Sequence, residues 1–278
     1  MNIAVIGLGL IGGSLARTIK LHTNATVYGR DLSQETILQA KLLGAIDGEL
    51  TDDALTTCDV VLVALYPGAI IDWIKAHADL FKADALVVDC GGVKQVICDE
   101  IWPIAHDRDW HFIGGHPMAG REFSGFKYAK DDLFDRASMI LTPEPDSDPL
   151  LLQRARDFFM DLGFRRVQFT TPVTHDEMIA YTSQLSHIVS SAYVKCPRAD
   201  KHRGFSAGSF ADMTRVARLN EHMWTELFFD NREALLPEVD GLVERLAAYR
   251  DALRDGDRDA MTALLREGRE IKERLTDN

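Results

Sequence analysis

Two stretches carry residue types that could do chemistry together. One is Gly114-Gly115-His116-Pro117-Met118-Ala119-Gly120-Arg121-Glu122. An imidazole titrates closest to neutrality, which suits it to general base work. Set between glycines and a proline, His116 has its backbone held and little bulk beside it to keep a substrate away. The other stretch is Gly7-Leu8-Gly9-Leu10-Ile11-Gly12, a Gly-x-Gly-x-x-Gly sequence between an apolar run at 3–6 and a helical pattern at 14–19. Gly7 permits the tight turn, Gly9 lets the backbone approach a pyrophosphate, and Gly12 allows close helix packing. Leu10 and Ile11, between the second and third glycines, count with them as cofactor-binding residues, and the helix N-terminus that follows faces the phosphates. A base near a bound dinucleotide is the pairing that a dehydrogenase needs.

The elements that must position these residues follow from apolar periodicity. A second run, Ala25-Thr26-Val27-Tyr28, leads to Gly29-Arg30-Asp31. An acid about 20 residues past the glycines can accept from both ribose hydroxyls and repels a 2′-phosphate, so Asp31 favours NAD. Arg30 beside it could pair with that phosphate, which keeps NADP possible. Strand runs at 60–64, 85–89, 111–113 and 137–142, with helical patterns between the earlier ones, predict an α/β fold with a Rossmann-type, doubly wound, mostly parallel sheet. Ligands in such sheets sit at the carboxyl ends of strands. That places Tyr66-Pro67, the turn Asp89-Cys90-Gly91-Gly92-Val93-Lys94 and a His116 loop along one rim. The dinucleotide-binding domain is expected over 1–171, closing at Thr170-Thr171-Pro172.

Residues 172–278 read as an all-helical domain for substrate binding and dimerisation. Thr174 with Glu177 forms a capping box for a long helix to residue 194, followed by a loop at 197–208. Further helices are expected at 210–217, at 221–255 with a kink or break at Pro237, and at 258–275. Ser183 and His187 share one helix face, and Asp212 and Arg215 stand at the spacing of an ordinary intrahelical ion pair. Trp224, Leu227, Phe228, Leu235 and Leu236 give this part more apolar surface than a thin layer would cover, which predicts a homodimer.

Composition narrows the function classes. A 278-residue chain with 46% hydrophobic and 27% charged residues is ordinary for a two-domain globular protein. A formal charge of −12 argues against nucleic acid, and it requires local cations if the substrate is an anion. The four cysteines, Cys58, Cys90, Cys98 and Cys196, lack metal or disulfide spacing, which suits a reducing cytoplasm. The apolar start lacks the basic region of a signal peptide, and no run is long enough for a membrane span. No metal-ligand spacing is present, and the six remaining histidines outside the motifs read as structural or solvated.

Together with Leu133-Phe134, Leu141-Thr142-Pro143, His175-Asp176 and Gly208-Ser209-Phe210-Ala211-Asp212-Met213-Thr214-Arg215, the two opening motifs closely resemble the prephenate and arogenate dehydrogenase family of tyrosine biosynthesis. The resemblance spans essentially the whole chain. It implies oxidative decarboxylation of a cyclohexadienol by a nicotinamide cofactor, with His116 as the base at the C4 hydroxyl. It also implies Arg215 as the carboxylate-binding arginine, Ser183 and His187 as polar substrate contacts, Glu122 at the pocket mouth, and Trp224 as a residue able to reach across the dimer. Prephenate is the expected substrate and arogenate the alternative.

Two positions depart from the family pattern. Gly92 stands where many relatives carry a serine that orients the histidine, so that help is expected from backbone or water. Ala211 stands where relatives often carry a cation. With the resemblance spanning the chain, no added regulatory or chorismate mutase domain is expected, and any tyrosine feedback is expected at or near the active site. Two other readings are a β-hydroxyacid dehydrogenase, for which Lys195 would have to be the catalytic lysine, and a non-catalytic NAD-binding sensor.

Overall fold

Runs of aliphatic and β-branched residues set the sheet. In the computed structural model, which describes residues 1–120 and 123–276, the first elements are β1 (Asn2–Ile6), α1 (Leu10–His22), β2 (Thr26–Arg30), α2 (Gln34–Leu42), the short β3 (Gly48–Glu49) and α3 (Asp52–Leu55). They are followed by β4 (Val60–Val63), α4 (Pro67–His77), β5 (Leu86–Asp89), α5 (Gln95–His106), β6 (His111–Pro117), β7 (Ser138–Pro143), α6 (Pro149–Asp161) and β8 (Arg166–Phe169).

One eight-stranded sheet results, in the order β3-β2-β1-β4-β5-β6-β7-β8. Neighbours are parallel except β6 and β7. Because side chains alternate along a strand, Ile3 and Val5 join one apolar cluster with Leu15, Val27 and Phe159. Ala4 and Ile6 join a second, with Val61, Val63, Ile70 and Ile101. Strands β4 and β5 are buried along their whole length, as parallel strands covered on both faces must be. The order of strands reverses between β1 and β4, which opens a crevice at their carboxyl ends.

The expected end of β6 at residue 113 is corrected by four residues. Antiparallel pairing with β7 carries the strand through Gly114 and Gly115, and His116 stands opposite Ile140. His116 therefore belongs to a strand rather than to a loop. Glycine is a poor strand former by itself, so pairing decides its conformation here.

After β8 the chain is helical: α7 (Pro172–Ile179), a π turn (Ala180–Gln184), α8 (Leu185–Val194), α9 (Gly208–Thr214), α10 (Glu221–Asp230), α11 (Arg232–Asp255) and α12 (Arg258–Thr276). The cap of α7 is Thr171, whose hydroxyl accepts from the Thr174 amide at 3.2 Å, with Pro172 at the first helical position. The expected cap at Thr174 is displaced because a hydroxyl followed by proline starts a helix one turn earlier. The expected break at Pro237 is also corrected. The helix is interrupted at Asn231, whose buried amide donates to the Asp176 carbonyl at 2.9 Å and to Gln184 Oε1 at 2.8 Å. Pro237 is accommodated within α11, near its start.

The chain divides into two compact units, Met1–Asn231 and Arg232–Asn278. Within the second, Tyr249 of α11 donates to the Leu264 carbonyl of α12 at 3.3 Å. Among the described residues, no helix is long and apolar enough to cross a membrane.

Candidate active site

His116 is held first through the peptide before it. A side chain at Gly115 would place its Cβ 2.5 Å from the Asp89 carbonyl oxygen and 2.6 Å from Val88 Cγ1, so only glycine lets β6 lie this close to β5. The Gly115 amide donates to Asp89 Oδ1 at 3.0 Å, and its carbonyl accepts from Lys94 Nζ at 2.6 Å. Lys94 and Asp89 are themselves ion-paired, with both side chains 0% exposed. Asp89 Oδ2 also accepts from the Gly91 amide at 2.8 Å. A buried pair left with unfilled valences would cost more than it returned. Here the spare valences are filled by the peptide that carries the histidine.

The imidazole is held second, through its ring. Its Nδ1 lies 2.9 Å from Nε2 of His175, and Nδ1 of His175 lies 2.7 Å from Oδ1 of Asp176. Asp176 is fixed in turn by the amides at the start of α5, Lys94 N to Oδ1 and Gln95 N to Oδ2, each at 2.8 Å. His116 is half-buried as a residue, whereas the His175 side chain is fully buried. Burial holds the His116 imidazole well below its usual range, and the neighbouring His175 and Lys94 push the same way. His175 is lowered too, again by burial, against the raising effect of Asp176. Both rings are therefore neutral near pH 7.

This corrects the expectation that backbone or water would orient His116. A side-chain ring does so. A Cβ at Gly92 would lie 3.2 Å from Leu227 Cδ2 of α10, a tight contact that the leucine tip would relieve by a shift of a few tenths of an ångström.

A second cluster lies on α8 and α10. His187 Nδ1 is 2.8 Å from the Ser183 carbonyl, in the π turn, where the widened helix leaves carbonyls to other donors. Its ring lies against Trp224, tilted by 30°, with the centroids 4.0 Å apart. Burial lowers the His187 pKa, and the nearby Arg215 guanidinium, just past the end of α9, lowers it further. Thus Ser183, His187, Trp224 and the charge of Arg215 are gathered in one chain. Glu122 lies outside the described residues. Lys195 is exposed at the C-terminal cap of α8.

The third group faces the crevice at β1. Gly7 has φ +82°, a conformation that disfavours any other residue, and a Cβ at Gly12 would run into the Gly7 carbonyl. The space where a side chain at Gly9 would stand is open, and α1 begins there without a side-chain cap. An uncapped helix start with an open approach is the cradle a pyrophosphate fits. Asp31 directly follows β2; its Oδ2 accepts from the Leu8 amide at 2.8 Å and its Oδ1 from the Ser33 amide at 2.9 Å. Each oxygen keeps a lone pair for a ribose hydroxyl. Arg30 is turned to Asp52 Oδ1 at 3.5 Å and His77 Nε2 at 3.3 Å. Tyr66 stands at the N-cap position of α4 without a side-chain capping bond, Pro67 occupies the first turn, and Gly91, buried after β5, lies close to Ile70 of the same helix. The residues present fit a dinucleotide.

The chain matches the family model described as prephenate dehydrogenase, nucleotide-binding domain, over residues 15–168. It matches the one described as prephenate dehydrogenase, dimerization domain, over 171–267. The chain belongs to the prephenate dehydrogenase family. It is 31% identical to the cyclohexadienyl dehydrogenase of Zymomonas mobilis, over 98% of this chain and 94% of that one. A crystal structure of prephenate dehydrogenase from A. aeolicus in complex with hydroxyphenyl propionate and NAD+ superposes with a TM-score of 0.87 at 28% identity, covering 99% and 98% of the two chains. Synechocystis arogenate dehydrogenase gives 0.83 at 25% identity, covering 99% and 100%. The chain is thus an oxidoreductase of this family, and its first domain binds a nicotinamide dinucleotide.

Several residues that build the site went unassigned in the sequence. His175-Asp176 entered only as part of a shared motif, and Lys94 and Asp89 only as members of a rim turn. Glu226 was not singled out, although its Oε1 accepts from the Gly68 amide at 2.7 Å, bringing α10 onto the start of α4. A lysine inside an otherwise apolar and glycine-rich turn was the one signal that could have flagged a buried pair.

Proposed function

We propose that the chain converts prephenate to 4-hydroxyphenylpyruvate and carbon dioxide with NAD as electron acceptor. The observation that carries this reading is His116, a neutral imidazole, part accessible, fixed by its neighbours on the rim that also bears Gly91. Its free nitrogen accepts the proton of the C4 hydroxyl as that carbon–oxygen bond becomes a carbonyl. The cofactor, when bound, supplies the acceptor for the hydride leaving C4. The ring carboxylate departs as carbon dioxide, its bonding electrons make the ring aromatic, and the phenolate oxygen takes the proton back from His116. Hydride and carbon dioxide account for the whole difference between the prephenate dianion and its monoanionic product. No proton need reach water, which suits a buried base.

Arg215 pairs with a substrate carboxylate, while Ser183, His187, Glu122 and Trp224 complete the polar lining. Asp31 with Arg30 turned away supports NAD over NADP. One observation favours a second substrate, arogenate. Ala211 puts no cation on α9 where relatives often have one, and arogenate's own ammonium reduces the need for it. A cytoplasmic homodimer joined through residues 172–278 fits a chain whose α12 has no buried residue and exposes Leu265, Ile271 and Leu275. We place the domain boundary at 171/172.

Reduced-nicotinamide absorbance, read for prephenate or arogenate with NAD or NADP, tests the reading. The largest kcat/KM is expected with prephenate and NAD. Silence in all four combinations would leave the sensor reading standing instead.

A further inference from the structure

We infer that His175, backed by Asp176, is the positioning residue that fixes the tautomer of His116 and steadies its positive charge, in place of a hydroxyl at position 92. This rests on the reading of His116 as the base. The argument is one of hydrogen-bond accounting along a buried line. A carboxylate can only accept, so at 2.7 Å from Asp176 Oδ1 the Nδ1 of His175 carries the hydrogen. The ring is neutral, which leaves its Nε2 with a lone pair. That lone pair lies 2.9 Å from His116 Nδ1, so His116 must donate from Nδ1. The neutral His116 then has its lone pair on Nε2, which has no hydrogen-bond partner among the described residues. The base is thereby presented at the one nitrogen turned away from its support.

The same line serves the protonated state. When Nε2 takes a proton, Nδ1–H becomes a stronger donor to His175, and Asp176 accepts the charge that His175 shares. The ionisable groups around the two rings are Asp176 from α7, Asp89 at the end of β5 and Lys94 just before α5; Lys94 opposes protonation of both His116 and His175, and the two carboxylates favour it at His175. The line ends at Asp176, whose oxygens are closed by the Lys94 and Gln95 amides, so it holds charge rather than conducting a proton outward.

The test uses the full chain labelled with 15N-histidine, with His116 assigned by comparison with His116→Asn. In the free protein, His116 Nδ1 is expected to be protonated and Nε2 not. His175→Leu should move the major form to Nε2–H and lower kcat by about 10² or more, given that a wrong tautomer costs up to about 10⁴ in a comparable base–orienter pair. KM for substrate should stay within a few-fold. His175→Gln, whose carbonyl can accept in place of Nε2, should restore the Nδ1–H form and most of kcat. A wild-type His116 protonated on Nε2 overturns the inference. So does a His175→Leu protein that keeps both tautomer and kcat. The spectra need no substrate, so correct tautomers with no turnover on any substrate would defeat the proposed activity and leave this inference intact.

Discussion

Asp89→Asn should damage both stability and catalysis, through one peptide. Asp89 takes three donors: the Gly115 amide at 3.0 Å, the Gly91 amide at 2.8 Å and the Lys94 ammonium. An asparagine keeps one acceptor oxygen and presents an NH2 group to the remaining donors. Both members of the pair are 0% exposed, so water cannot compensate. Removing one partner of a buried pair costs about 3–5 kcal/mol, and a stranded donor costs about 1–3. The two overlap, since the stranded group is part of the broken pair, and a loss of about 4 kcal/mol is expected. At about 2–4 °C per kcal/mol this lowers the melting temperature by on the order of 10 °C.

Thermal melts followed by circular dichroism read this loss. Because the Gly115 carbonyl is held by Lys94 Nζ at 2.6 Å, kcat should fall alongside. Adding Lys94→Met removes the ammonium facing the new NH2 group, so the double variant should be more stable than the sum of the single losses by roughly 1 kcal/mol or more. A melting temperature within about 2 °C of wild type, or strict additivity in the double variant, would refute the clamp.

Other perturbations read the site directly. His116→Asn should lower kcat by about 10² to 10⁴ with cofactor affinity little changed, measured by steady-state turnover and by quenching of tryptophan fluorescence on cofactor titration. Arg215→Gln should raise KM by the equivalent of about 2 kcal/mol, the low end for a desolvated pair, because Arg215 is exposed in a single chain; an unchanged KM would remove it from the substrate's carboxylate. Stability should fall as pH drops below about 6.5. Burial lowers His116, His175 and His187 in the folded chain, so the unfolded chain binds more protons in that window, and the contribution is whole only above it. Denaturant midpoints at pH 7.5 and 5.5 should differ in that order, and His175→Gln should narrow the gap.

Local patterns carried the sheet and the glycine turn ahead of α1. The glycines at 7, 9 and 12, the acid at Asp31 and the apolar runs act over a few residues, and their chemistry is the same wherever the chain goes. The positions that were misplaced depend on partners far along the chain. β6 runs on to Pro117 because β7 pairs with it, and α10 ends at Asn231 because that amide is needed by Asp176 and Gln184.

The sequence by itself determined that a glycine turn would join β1 to α1 and that a histidine would stand in the same domain, since both motifs are contiguous and their backbone demands are local. Which nitrogen of that histidine meets a partner was decided only by tertiary structure, which sets Nδ1 2.9 Å from His175 Nε2. His175 is 59 residues away in the chain, and the amides that fix Asp176 are 82 and 81 residues from it. A tautomer depends on hydrogen-bond partners converging in space, and spacing along the chain cannot announce them.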